Sequence, residues 1–279
     1  MENFIPELYS DMLMMERDKE TVFAKLCNKK YNGQIETLGD RVHITGVGDP
    51  TIRDYTKEIT LTSEYINDFT TELVIDQAKY FDVWFDDMKM KQAAKDPIPT
   101  LMTKGRKQLS DTLDAHIGTL YNQCGTDVTE TQVTSVNIIS TLSSGITKLY
   151  KNNVPTSEEI YLVVSPEVAE KITMADIVFN TDNSETLSGG FIGRSKKFLN
   201  LKIFMSNNVY SPSTVDYCMM FTKEAIGLAE QIPASGIEKM RSETKFATLI
   251  RALHLYGAKV IKPKELVTLN LTTVAEATV

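Results

Sequence analysis

The sequence lacks features that mark several common classes of protein. Its three cysteines, Cys27, Cys124 and Cys218, are dispersed and form no CxxC pair, so neither a disulfide framework nor a zinc site is predicted. No segment approaches the roughly 20 apolar residues that a membrane-spanning helix needs. The first 20 residues carry acidic side chains where a secretory signal would carry lysines. We therefore expect a chain made and folded in the cytoplasm, with buried thiols.

Recognisable catalytic motifs are also missing. His43, His116 and His254 have no metal-ligand spacing to one another or to a cysteine, and there is no GxSxG nucleophile motif. The segment SGGFIGRSK at 188–196 lacks the GK[ST] ending of a phosphate-binding loop. The net charge of −7 argues against a dedicated nucleic-acid-binding protein, because neutralising phosphates requires a basic face. We expect no enzymatic activity, no cofactor and no bound metal.

One apolar segment, residues 73–92, contains four aspartates. Residues 73–85 include no glycine or proline, and alternate positions share an apolar face: Leu73, Ile75, Phe81, Val83 and Phe85. At about 3.3 Å per residue, such a strand would be about 43 Å long, whereas typical strands have about five or six residues. Pairing of 39–61 with 68–85 would then give a hairpin nearly as long as the body of the protein. Such a hairpin would either project or fold back over the surface. If it projects, its apolar side chains and unpaired edges need another subunit to cover them, which is a first indication of an assembly protein.

The aspartates of this segment do not form an obvious common site. Asp76 and Asp82 share the second face of the strand but lie about 20 Å apart, too far to bind one metal ion. Asp86 and Asp87 follow where the strand is expected to end. They are predicted to cap a helix that begins at residue 88 and to complement its dipole.

Along the rest of the chain, the spacing of apolar residues predicts helices and strands in turn. An amphipathic helical arm is predicted for residues 4–30 and a long helix for about 99–122, with Pro99 in its first turn. A buried strand in EIYLVV leads into a helix with Ser165 as its cap and Pro166 at its first position. The remaining predictions are a helix at 134–150, strands at 201–206 and 217–221, a helix at 223–231, and β structure from 236 through ELVTLNL.

Five of these segments resemble, in the same order, motifs of the major capsid proteins of tailed bacteriophages. The segments are FIPELYSDMLM, VFAKLCNKKYNGQIETLGDRVHI, ELVIDQAKYFDVWFDDMKMKQ, GFIGRSKKFLNLKIFMSNNV and ALHLYGAKVIKPKELVTL, spanning about residues 4–270. In the fourth segment, Asn200 stands where the family often has glycine. Because asparagine tolerates the left-handed backbone better than most residues, Gly193 and Asn200 are candidates for tight turns.

The resemblance implies an α+β fold of the Hong Kong 97 type. It assigns an N-terminal arm to residues 1–38 and an extended β-hairpin loop to 39–85. A discontinuous peripheral domain would combine 86–125, with a spine helix at about 99–122, and 236–272. An axial α/β domain would occupy 126–235, followed by a C-terminal tail at 273–279.

The implied function is self-assembly into hexamers and pentamers that form an icosahedral shell around packaged double-stranded DNA. The resemblance also implies a scaffolding protein, a portal and decoration proteins as partners, and assembly in the cytoplasm of a host bacterium. Candidate intersubunit contacts come from the arm and the extended loop: Phe4, Tyr55, Lys57, Tyr65, Lys79, Tyr80 and Trp84.

Three alternatives remain open at this point. An encapsulin-like nanocompartment would share the fold and enclose protein cargo, whereas a tail or adaptor protein would form rings or tubes. A metal-dependent hydrolase would use the carboxylates of Asp82, Asp86 and Asp87.

Overall fold

The computed structural model describes residues 21–31, 41–47, 50–54, 63–65, 68–86, 98–175, 191–194, 201–232 and 237–274. Its α-helices are α1 (Phe23–Leu26), α2 (Ile98–Gly118), α3 (Ile138–Lys151) and α4 (Pro166–Met174), with 3₁₀ helices at Thr119–Gln123 and Pro263–Glu265. The strands are β1 (Arg41–Val47), β2 (Asp68–Val74), β3 (Gln77–Asp86), β4 (Thr126–Val133), β5 (Ile160–Val164), β6 (Phe191–Arg194), β7 (Leu201–Met205), β8 (Asp216–Thr222), β9 (Ile226–Ile232), β10 (Ile237–Arg241), β11 (Ala247–Val260) and β12 (Leu266–Thr273).

A mixed six-stranded sheet, in the order β4-β12-β8-β5-β7-β6, holds the larger core. β5 is buried along most of its length because α3 and α4 contribute apolar side chains to the same core as the sheet. Ser165 caps α4 as predicted, since its Oγ accepts a hydrogen bond from the Val168 amide at 3.3 Å. The α/β character predicted for residues 126–235 is confirmed over the described part of this range.

A second sheet is built around β11, which is 14 residues long. One edge of β11 pairs with β3, and the other edge pairs first with β10 and then with β9. Long α2 packs across one face of this sheet, where Leu109 forms a small cluster with Ala252 and Phe81. The helix comes close because Gly105 faces Phe81: a Cβ at Gly105 would lie 2.5 Å from the Phe81 ring. The long helix predicted for about 99–122 is confirmed as α2 with its following 3₁₀ turn.

β1 and β2 pair antiparallel and form a two-stranded sheet of their own. Val42 and Ile44 are half-buried while His43 is exposed, as the alternation predicted. The base of this hairpin packs on β11 through Leu73, Ile75, Ala229 and Leu255. Here the chain lies very close to β11, and a Cβ at Gly257 would lie 2.1 Å from the Val74 carbonyl oxygen.

The uninterrupted strand predicted for 73–85 is wrong. The ladder with β1 ends at Val74, and β3 begins at Gln77 with β11 as its partner. Ile75 between them is buried against β11, so the chain leaves one sheet and enters the other at this point. The hairpin therefore has strands of seven residues, or about 24 Å, and β3 belongs to the sheet that carries α2.

Three further expectations are corrected. The helix predicted for 223–231 is strand β9, because pairing with β11 decides its conformation over the good helix formers of AIGLAEQ. β12 lies between β4 and β8 in the six-stranded sheet, so part of 236–272 leaves the sheet of β10 and β11. The helical arm predicted for 4–30 is helical only over α1 within the described residues 21–31, and Asn28 is already in a β-bridge with Gly227.

Candidate assembly surfaces

The sheet around β11 exposes an apolar face on the side away from α2. We call this the open face and define it by the side chains that the register places together: Tyr80, Asp82, Trp84, Met240, Leu249, Arg251 and Leu253. Tyr80 is 76% exposed and Trp84 is 54% exposed, and Met240 and Leu253 are also exposed. Single exposed apolar residues are ordinary, but several on one sheet face are typical of a protein-binding surface.

Charged groups lie among the aromatic residues of the open face. Arg251 Nη2 lies 3.7 Å from Asp82 Oδ2, between the pairs Tyr80–Leu253 and Trp84–Leu249. The Lys245 ammonium lies 4.6 Å from the centre of the Trp84 ring, a cation–π contact. This mixture of aromatic residues, methionine and arginine resembles the composition of protein interfaces.

The segment that joins β1 and β2 is a second exposed surface. Glu64 links its two sides by accepting hydrogen bonds from the Thr51 amide at 2.6 Å and from Arg53 at 3.3 Å. Next to this contact, Ile52 is 95% exposed and Tyr65 is 100% exposed. A two-stranded sheet is at best marginally stable alone in water, so large apolar side chains beyond it favour contact with another subunit.

The end of the arm is fixed to α2 by one buried carboxylate. Asp114 accepts hydrogen bonds from the Val22 amide at 3.1 Å and the Ala24 amide at 2.9 Å, and so holds the first turn of α1. Asn208 donates to the same carboxylate at 3.3 Å. Burial raises the pKa of Asp114, although these donors act in the opposite direction. The carboxylate therefore joins the arm, α2 and the segment before β8.

Glu230 joins the arm to the second sheet in a similar way. Its carboxylate lies 3.4 Å from His254 Nε2, which is buried on β11, and 3.2 Å from the Lys29 ammonium at the end of the arm. The hydrogen bond from His254, with a smaller effect of Lys29, lowers the pKa of Glu230.

The Tyr256 ring contacts the rings of His254 and His116, with centroids 4.8 and 5.7 Å away. Two of the three histidines, His116 and His254, thus contact the same tyrosine.

Replacing Glu230 with glutamine tests this link. Because its pKa is lowered on folding, Glu230 stabilises the folded state above its unfolded pKa of about 4.3, and this contribution is lost as the pH falls through the folded pKa. We expect E230Q to lower the free energy of unfolding by about 1 kcal/mol at pH 7 and to flatten the loss of stability below pH 5, in urea titrations.

Glu224 is the matched control, because it also contacts two basic side chains, Lys30 and Lys262, but at the surface. E224Q should change the stability at pH 7 by less than about 0.5 kcal/mol. Equal effects of the two substitutions would contradict the assignment of Glu230 as the link between arm and sheet.

The structure brings some of the predicted site residues together and separates others. Tyr80 and Trp84 lie together on the open face and Tyr65 lies beside Glu64, whereas Lys79 points to the α2 side of β3. Asp86 is the last residue of β3, and Gly193 lies inside β6 beside a shift of register, so its predicted tight turn is corrected to an irregular strand position. Four predicted residues, Phe4, Tyr55, Lys57 and Asn200, and the proposed cap Asp87 lie outside the described residues.

Sequence reasoning missed the part of the open face that comes from β10 and β11. Alternation in ATLIRALHL places Leu249, Arg251 and Leu253 on one side of a strand, but only the register shows that this side continues Tyr80 and Trp84. Asp82 belongs to the open face as the partner of Arg251.

Among the residues that the structure describes, no three Asp, Glu, His or Cys side chains converge as a metal site would require.

Burial keeps two of the three cysteines protonated. Cys27 and Cys218 are buried free thiols, as predicted, while Cys124 is half-buried. Burial raises the pKa of Cys218 to about 12 and that of Cys27 further. Both therefore stay protonated at neutral pH.

Within the described ranges, no helix is long and apolar enough to cross a membrane.

Solved structures provide the decisive comparison. The chain is 31% identical to a structure titled "Mycobacterium phage Che8", with 96% of this chain and 98% of that chain covered and a TM-score of 0.79. It also matches the capsid structure of the cyanophage P-SCSP1u, at 16% identity, 98% and 94% coverage and a TM-score of 0.77. The capsid of Ralstonia phage GP4 matches at 13% identity, 99% and 97% coverage and a TM-score of 0.68.

The chain belongs to the tailed-phage major capsid proteins. Neither a family model nor a curated protein matches its sequence. The α+β fold is that of Hong Kong 97-like capsid proteins, which confirms the fold implied by the sequence motifs. The protein is thus a capsid protein that assembles with itself to form the shell of a virion, and its role is structural.

Proposed function

We propose that this capsid protein forms hexamers and pentamers that close into an icosahedral shell around packaged double-stranded DNA. The observation that carries the proposal is the β1–β2 hairpin, which pairs only with itself among the described strands and continues into exposed Ile52 and Tyr65. A compact monomer gains nothing from such a projection, whereas a ring of subunits can cover each hairpin with the next subunit.

The open face is the proposed receiving surface for a neighbouring subunit. The hairpin base already covers one end of this side of the sheet, through Leu73 and Leu255, and Tyr80 and Trp84 continue the same side. A contact between a hairpin on one subunit and a sheet face on the next uses two different surfaces, so it is heterologous and can close rings. A stable contact of this kind buries about 1,200 Å² or more in total.

The division into functional parts follows the family pattern. We propose an arm at 1–38, an extended loop at 39–85, a peripheral domain from 86–125 and 236–272, an axial domain at 126–235 and a tail at 273–279. The strand pairing refines this division: β3 and β9 pair with β11 on the peripheral side, and β12 joins the axial sheet. The arm, the extended loop and Tyr65, Tyr80 and Trp84 would change neighbours if the shell expands during packaging.

The partners of the shell are proposed on the resemblance to capsid proteins. A scaffolding protein would guide assembly in the cytoplasm of the host bacterium, a portal would occupy one vertex, and decoration proteins would bind the outer surface. Phe4, Tyr55 and Lys57 remain contact candidates in the arm and the loop.

Electron microscopy of the expressed chain, alone and with a neighbouring scaffold gene product, tests the proposal. We expect capsomer rings or closed isometric shells, and a 31.3 kDa monomer under every condition would contradict it. The double substitution Tyr80→Ser and Trp84→Ser should reduce shell yield at least tenfold without unfolding the subunit, because both side chains are exposed in the subunit.

The control is Val136→Ser, which removes another exposed apolar side chain, 87% exposed, from the segment before α3. It should leave the shell yield unchanged. Equal losses in both variants would mean that the open face has no special part in assembly.

A further inference from the structure

The hydroxyl group of Tyr256 is a buried donor that makes no hydrogen bond in the subunit. The Tyr256 side chain is fully buried on β11, where its ring contacts His254 of the same strand and His116 of α2. Within the part of the chain that the structure describes, no hydrogen-bond partner reaches the hydroxyl. Buried polar groups are nearly always paired, because a buried group without a partner has lost its bonds to water and gained none in return. The unpaired hydroxyl therefore favours any rearrangement that brings an acceptor to it.

Asp76 is an exposed carboxylate close to this hydroxyl. It directly precedes Gln77, which the strand register places opposite Tyr256. Among the described residues, no hydrogen bond or ion pair holds the Asp76 side chain. Burial and, to a smaller extent, the charge of Asp76 raise the pKa of Tyr256 to about 12. The carboxylate is thus near enough to act on the hydroxyl electrostatically, although it does not accept its hydrogen bond in the subunit.

Asp76 also lies at the point where the hairpin joins the body of the subunit. β2 pairs with β1 as far as Val74, and β3 pairs with β11 from Gln77, so Ile75 and Asp76 alone connect the two sheets. The β1–β2 hairpin pairs only with itself among the described strands. A change in the angle of the hairpin is therefore absorbed by the backbone of these connecting residues, and it moves the Asp76 carboxylate relative to Tyr256.

We propose that Asp76 and Tyr256 form a latch that is open in the free subunit and closed in the shell, where the Asp76 carboxylate accepts a hydrogen bond from the Tyr256 hydroxyl. The inference rests on the proposed function, because it requires a neighbouring subunit that holds the hairpin in a new position. The closed latch fixes the hairpin on β11 after the next subunit has bound it. The energy of this hydrogen bond thus contributes to assembly and not to the stability of the subunit.

Two other donors near Asp76 are weaker candidates for its partner. Lys79 is exposed, so its ammonium group keeps its bonds to water without the carboxylate. His116 is half-buried, and burial lowers its pKa although Asp76 acts in the opposite direction, so most His116 rings carry no charge at pH 7. The Tyr256 hydroxyl gains most, because it is buried and a hydrogen bond to a charged acceptor is one of the stronger kinds.

The first measurement is urea unfolding of the full-length chain below its assembly concentration. Tyr256→Phe removes only the hydroxyl, and Asp76→Ala removes the carboxylate. Because the latch is open in the subunit, neither substitution should raise the equilibrium constant for unfolding by more than about twofold. The double variant should show the sum of the two effects. Coupling between the two substitutions at this stage would overturn the inference, since the bond would already exist in the subunit.

The second measurement is the concentration of free subunit that remains in equilibrium with shells. Each single substitution should raise this concentration about tenfold, because each subunit loses a hydrogen bond to a charged group. The double variant should be no worse than either single variant, since both substitutions remove the same bond. Glu170→Ala is the matched control, because it removes an exposed carboxylate from α4. It should leave the concentration of free subunit unchanged.

The pattern of effects in shells decides the inference. Additive effects of Tyr256→Phe and Asp76→Ala, or no effect of either, would overturn the latch while leaving the shell itself established. Coupling of Asp76→Ala to His116→Gln in place of Tyr256→Phe would also overturn it. A failure of the unchanged chain to form any assembly would contradict the proposed function, and the latch with it.

Discussion

Replacing residues 48–67 with the dipeptide Asn-Gly is expected to abolish shell formation and leave a folded subunit. Val47 and Asp68 form the last pair of the β1–β2 ladder, so a two-residue turn can join them directly. The substitution removes Ile52, Tyr65 and the Arg53–Glu64 contact but keeps the hairpin base that packs on β11. Shells should disappear from electron micrographs, while the free energy of unfolding should change by less than about 1 kcal/mol because the described residues of this segment are exposed.

A second variant tests whether assembly depends on the side chains of this segment or only on its length. A glycine-serine linker of the same length keeps the reach of the segment but removes its side chains. It should also fail to form shells, because the proposed contact depends on apolar side chains. Normal shells from the Asn-Gly variant would refute the bridging role of the hairpin, and normal shells from the linker variant would show that its side chains are dispensable.

Asp114→Ala is expected to be the most damaging single substitution for the stability of the subunit. It leaves the buried amides of Val22 and Ala24 and the Asn208 amide without their common acceptor. A buried donor left without its acceptor costs about 1–3 kcal/mol, so we expect a total loss of about 3–5 kcal/mol, which corresponds to a fall in Tm of about 10 °C. Calorimetry should show this fall, and proteolysis should cut the arm before the rest of the chain opens.

Asp111→Ala is the matched control, one turn earlier on the same helix. Asp111 is half-buried and accepts from Asn208, and it has no hydrogen bond to the described part of the arm, residues 21–31. Its loss should cost about 1 kcal/mol. If the two substitutions had equal effects, the carboxylate of Asp114 would not be the anchor of the arm.

Much of the architecture could be predicted from local pattern and motif order. Pro99 and the apolar spacing from Leu101 onward predicted α2, and Ser165 with Pro166 predicted the start of α4, because capping and periodicity act within a few residues. The exposed side of β3, with Tyr80 and Trp84, followed from strict alternation. The order of five weak motifs predicted the capsid fold that the solved structures confirm.

Other features could not be predicted, because they depend on residues far apart in the chain. The segment 226–232 contains good helix formers, and only its pairing with β11 makes it a strand. The passage from β2 to β3 at Ile75 and the position of β12 in the six-stranded sheet were missed for the same reason. Neither local propensity nor residue spacing predicts which two strands will pair.

The sequence by itself determined the class of this protein: an α+β capsid subunit with a long helix, an extended hairpin and no recognisable catalytic motif. Only the tertiary structure decided which surfaces the subunit presents. The register of β3, β10 and β11 gathers Tyr80, Trp84 and Leu253 on one face and Lys79, Lys239 and Arg241 on the other. The physical reason is that alternation assigns each residue to one of two sides of its own strand, whereas pairing between distant strands decides which sides coincide.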